Sequence, residues 1–60
     1  MSIQYIADGY NKDNNRVVLW RTGNYQYQLE MAGNTHNFEA EYYDAIAFFE
    51  KHVVQITETV

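Results

Sequence analysis

Between Tyr25 and Met31 the chain alternates strictly: Tyr25, Tyr27, Leu29 and Met31 are separated by Gln26, Gln28 and Glu30. A period of two marks a strand with one buried face. The preceding segment, Arg16 to Thr22 (RVVLWRT), is apolar on both faces and reads as its partner strand. Gly23-Asn24 between them suits a two-residue hairpin turn. Setting Thr22 opposite Tyr25 puts Trp20 opposite Tyr27 and Val18 opposite Leu29. This register predicts a core face of Val18, Trp20, Tyr27, Leu29 and Met31, with Val17, Leu19 and Arg21 on the other side. Upstream, Ser2 to Asp8 favours an extended strand through Ile3, Tyr5 and Ile6. Gly9 to Asn15 (GYNKDNN) is dense in turn formers and reads as a loop.

From Phe38 to about Ile56 the period changes. Phe38, Tyr42, Ala45, Ile46, Phe49, Val53 and Ile56 fall on one stripe at about 100° per residue, which predicts an amphipathic helix. Glu39 and Glu41 near its start and Lys51 and His52 near its end complement the helix dipole. Phe38 is placed to pack on Tyr43 as a hydrophobic staple. Ala32 to Asn37 reads as a turn, with His36–Phe38 as an optional short fourth strand, and the terminal ITETV as a frayed end. The expected architecture is α+β: a three-stranded antiparallel sheet, four-stranded with the short segment, followed by one C-terminal helix across it (β-β-β-α). Residues 1–60 make one domain.

Composition explains how so short a chain can fold. A 60-residue domain hides only about 60% of its unfolded surface, so its margin is thin. There is no cysteine to staple it, which excludes disulfides and Cys-based zinc or redox sites. Aromatic residues at 17% supply large buried area per side chain instead. The start, MSIQYIADGY, lacks the basic and apolar regions of a signal peptide, and no stretch approaches the roughly 18 apolar residues of a membrane span. A cytoplasmic protein without membrane contact is expected. The formal charge of −4 repels nucleic-acid backbones unless the few cations cluster.

No catalytic, cofactor or metal constellation emerges. His36 and Glu39 have a ligand-like spacing, but a zinc-protease helix needs two histidines one turn apart. The hydroxyls of Ser2, Thr22, Thr35, Thr57 and Thr59 sit in no nucleophile pattern. Glu39, Glu41, Asp44 and Glu50 would need a cleft to separate their pKa values before they could do acid–base work, and solvated helix charges are the simpler reading.

Binding readings remain. Tyr43, Ala47 and Val54 on one flank and Phe48 on the other exceed what a small sheet covers. With Glu39, Glu41, Asp44 and Glu50 they form a candidate protein-binding surface. Small acidic folds occur among phage and mobile-element proteins, where carboxylates stand in for phosphates in a host nucleic-acid-handling complex. By that fold-level analogy the chain is expected to be an inhibitor acting by protein contact or nucleic-acid mimicry. The alternatives are a nucleic-acid-binding sheet using Lys12, Arg16 and Arg21, and a homodimer closed through the Tyr43 flank.

Overall fold

The computed structural model describes residues 3–60; Ser2, the expected start of the first strand, lies outside them. The elements are β1 (Gln4–Tyr10), β2 (Arg16–Gly23), β3 (Gln26–Met31), β4 (Asn34–Glu39), α1 (Tyr42–Lys51) and β5 (Gln55–Thr59). The strands form a single five-stranded antiparallel sheet in the order β4-β3-β2-β1-β5. The three- or four-stranded sheet with a C-terminal helix is thus overturned. The helix lies between β4 and β5, and the chain closes on a strand.

Two local signals account for the difference. Ala32 and Gly33 both take positive φ, 52° and 81°, the requirement of a type I′ turn, so β3 turns directly into β4. Beyond Lys51 the chain reads HVVQITETV, rich in the β-branched residues that favour strands over helices. The helical stripe therefore stops short of Val53 and Ile56. Ile56 pairs with Gly9 on β1 instead.

The core face also differs from expectation. The β2–β3 turn is centred on Asn24-Tyr25, not Gly23-Asn24, and Tyr25 takes the left-handed φ of 60°. The register becomes Val17 with Met31, Leu19 with Leu29 and Arg21 with Tyr27, and a bulge lies between Arg21 and Gly23. A one-residue slip turns every β2 side chain to the other face. Val17 and Leu19 enter the core, while Val18 and Trp20 point away from the helix.

The core comprises Ile6, Ala7, Val17, Leu19, Tyr27, Leu29, Ala45 and Phe49. Ala45 and Phe49, one helical turn apart, are the fully buried residues of α1, which packs over the central strand β2. Since each neighbouring pair is antiparallel, β4 and β5 run in the same direction from opposite edges. The helix carries the chain back between them.

At Gly9 the return is tight: a Cβ there would lie 2.3 Å from the Gln55 carbonyl oxygen. Gly9→Ala should destabilise the fold by about 1–3 kcal/mol, since backbone must move to admit the methyl. Hydrogen exchange should show amide protection lost first at Val54 and across β5. Phe49→Ala, by urea denaturation, should cost about 3–5 kcal/mol, enough to leave so small a domain largely unfolded.

Candidate protein-binding site

The helix begins without a side-chain cap. Glu41 occupies the N-cap position with extended backbone, and Asp44 lies in the first turn, where its charge meets the positive end of the helix dipole. The outward ridge of α1 carries Tyr43, Ala47 and Glu50, opposite the buried Ala45 and Phe49. Tyr43 is 82% exposed, so the staple with Phe38 does not form. Phe38 instead belongs to β4 and stacks on Tyr27, with ring centroids 5.9 Å apart.

Where the helix start meets the β2–β3 turn, Arg21, Tyr25, Tyr27, Glu41, Tyr42, Tyr43 and Asp44 line an open cleft of about 310 Å³. Tyr42 and Tyr43 meet edge to face at 5.3 Å, and the Tyr42 hydroxyl donates to the Val60 carbonyl oxygen at 3.2 Å. Tyr25 is 64% exposed although its positive φ is costly for a bulky residue. Its carbonyl accepts from the Ala40 amide at 3.0 Å, and this bond ties the turn to the approach to the helix. The Arg21 Nε donates to the Gly23 carbonyl oxygen at 3.3 Å. Two carboxylates and one guanidinium thus share the lining of a tyrosine-rich cleft.

Of the acidic and apolar residues expected to bind a partner, Glu41, Tyr43 and Asp44 converge here. The others lie elsewhere. Glu39 pairs with Gln26 at the end of β4, and Glu50 and Ala47 are farther along the ridge. Phe48 is half-buried against Phe38 at 4.7 Å, His52 at 4.7 Å and His36 at 5.8 Å. Val54 follows the helix and donates its amide to the Tyr10 carbonyl oxygen.

The basic residues do not converge. Lys12 is in the β1–β2 loop, and Arg16 and Arg21 sit five residues apart on one strand, on opposite faces and about 17 Å from each other. His36 and Glu39, three apart on β4, also point to opposite faces, so their ligand-like spacing brings no shared site. Among the described residues no three His, Asp or Glu side chains gather in a metal-holding group. No helix among them is long and apolar enough to cross a membrane.

On the helix-free face of the sheet lies a group that sequence reasoning did not find. Asp8, only 6% exposed, accepts a hydrogen bond from the Tyr5 hydroxyl at one carboxylate oxygen and from the Arg16 Nε at the other, 3.2 Å away. Tyr5 packs edge to face on Trp20 at 6.0 Å, and the Trp20 Nε1 donates to Glu30 at 3.2 Å. Three residues apart on a regular strand, Tyr5 and Asp8 would face opposite ways. A bulge at Ile6 brings them together, and no periodic signal announces it.

No family model matches the chain, and neither the curated proteins nor the solved structures contain a significant match.

The hydrogen bond to Asp8, followed by desolvation and the Asp8 and Glu58 charges, pushes the Tyr5 hydroxyl up to about 12, with Arg16 opposing. A raised folded-state pKa favours the protonated fold. The contribution is complete below the ordinary tyrosine value of about 10 and is lost as pH rises through about 12. Ultraviolet titration of tyrosinate should show a Tyr5 transition raised to about 12, and Asp8→Asn should bring it back towards the ordinary value.

Proposed function

We propose that this chain is a non-enzymatic protein-binding module whose contact surface is the tyrosine cleft at the start of α1. The observation that carries this reading is the convergence of Tyr25, Tyr42 and Tyr43 with Glu41 and Asp44, around a Tyr25 held in a costly backbone conformation. Tyrosine offers a large, fairly rigid surface with a polar tip, and such residues dominate binding energy at protein interfaces. Backbone strain of this kind persists where the surrounding structure enforces it, often at sites that bind. The two acids and the net charge of −4 select a basic partner segment and speed its encounter.

The sharper form of this proposal is a cytoplasmic inhibitor, of the type small phage proteins provide. It would occupy the basic groove of a host nucleic-acid-handling complex. Glu41 and Asp44 then stand where phosphates would bind, supported by their neighbouring positions at the cleft. Asp44 and Glu50 are six helical residues apart and project in different directions, so a continuous row of phosphate-like charges is not the basis of the proposal.

One observation favours a second reading. Trp20 is not in the core but half-exposed beside Tyr5, an arrangement on which bases could stack. Asp8, Glu30 and Glu58 share that face with the single Arg16, and this balance opposes phosphate binding.

The discriminating experiment captures a partner with the tagged protein and measures its affinity for purified wild type and variants. Tyr43→Ala should weaken binding by about 2 kcal/mol, roughly thirtyfold. The Glu41→Lys/Asp44→Lys double variant should lower the association rate and its salt dependence. Unchanged affinity in both folded variants would reject the cleft. Salt-sensitive binding of single-stranded DNA or RNA that disappears with Trp20→Ala would install the sheet reading instead.

A further inference from the structure

The two edges of the sheet are not equivalent. The β5 edge is bent by a bulge against β1 between Asp8 and Gly9, a device that discourages pairing with another chain. The β4 edge has no such protection. It pairs with β3 in unbroken register from Met31–Asn34 to Gln26–Glu39, and its sequence, NTHNFE, contains neither proline nor lysine.

The phase of its hydrogen bonds follows from the turn. In a two-residue hairpin the closing pair, here Met31 and Asn34, is hydrogen-bonded, and bonded pairs then alternate along the ladder. The Ala40 amide donating to the Tyr25 carbonyl oxygen at 3.0 Å continues the same alternation. Asn34, His36 and Phe38 therefore turn their backbone groups towards β3. Thr35, Asn37 and Glu39 turn theirs outwards, where the described structure places no neighbouring strand.

From this geometry we infer that the β4 edge is a self-association surface, on which a second copy of this chain pairs antiparallel about a two-fold axis at Asn37. This goes beyond the cleft reading and does not depend on it. A two-fold axis normal to the sheet keeps both helices on one face, so paired residue numbers must sum to an even value. Centring on Asn37 sets Asn37 against Asn37 of the second copy, Thr35 against Glu39 and His36 against Phe38. Every outward amide and carbonyl of Thr35, Asn37 and Glu39 then finds a partner.

Side chains agree with that register. The one carboxylate on the strand, Glu39, meets a threonine hydroxyl and not another acid. On the helix side, His36 and Phe38 are already stacked at 6.0 Å, and Phe38 packs on Phe48 at 4.7 Å. The second copy would extend this half-exposed ring cluster across the axis. Centring on His36 would oppose two imidazoles and leave Glu39 facing Gly33 in the turn. An unrelated extended peptide could use the same backbone groups but would not be selected by this two-fold complementarity.

The test is sedimentation equilibrium of the full chain from about 10 µM to 1 mM, a range that spans weak association constants. Concentration-dependent dimer is expected. Asn37→Pro should abolish it while keeping the β3–β4 ladder, because the proline removes only an outward-facing amide. Should that variant fail to fold, Asn37→Cys decides. The wild-type chain has no cysteine, and the expected Cα separation across the axis, about 5.5 Å, suits a disulfide. Under mild oxidation Asn37→Cys should cross-link faster than Glu50→Cys on the helix ridge. A chain monomeric throughout the range would overturn the inference, as would a dimer that survives in folded Asn37→Pro or is abolished only by Tyr43→Glu. Equal cross-linking of the two cysteine variants would overturn it too.

Discussion

Ala45 and Phe49 seated over β2 are what the remainder of the molecule depends on. A single sheet must cover its apolar face, and one helix supplies the second layer that buries Val17, Leu19 and Leu29. Docked there, α1 carries the chain from the β4 edge back along the sheet and releases it beside the free edge of β1. The fifth strand then forms with little burial of its own; all five of its residues are exposed. Backbone pairing holds it, helped by the close approach that Gly9 permits.

A helix on one side only makes the two faces of the sheet chemically different. The covered face is apolar and closes the core. The other carries Asp8, Arg16, Trp20, Glu30 and Tyr5, joined by directional polar contacts. Burying a carboxylate is costly unless hydrogen bonds compensate, and Asp8 receives one at each oxygen. That network stabilises a face without a second layer. The tyrosine cleft differs in kind: Tyr25 and Tyr43 remain largely open to solvent above the buried Tyr27, while turn geometry and the Tyr42–Val60 hydrogen bond hold the site in place. Apolar area kept accessible in a domain with so little to spare is the feature a binding partner would use.

The candidate site was legible in part. Glu41 and Asp44 could be placed together because a helical period puts i and i+3 side by side, whereas Tyr43 stands out in the sequence only as part of an apolar flank with Ala47 and Val54. Tyr25 and Arg21 could not be placed with them. They reach the cleft through a turn whose position is not evident from composition, since Gly23-Asn24 is the better sequence match and Tyr25 an improbable left-handed residue. From the helical period alone Phe48 counts as surplus surface, because β4, against which it packs, has only one apolar residue and no alternating pattern to reveal it.

By itself, the sequence determined the strand nature of β2 and β3, the central turns of α1, the absence of a cysteine framework and the inward direction of Tyr27, Leu29 and Met31. Each rests on local periodicity or composition, which needs no knowledge of distant partners. Only the tertiary structure decided the β2 register, the bulge that joins Tyr5 to Asp8, and the existence of β4 and β5. Register is a difference of one residue with opposite consequences for each face. Polar edge strands are specified by backbone hydrogen bonds to a neighbour already in place, and that information is spread across the fold.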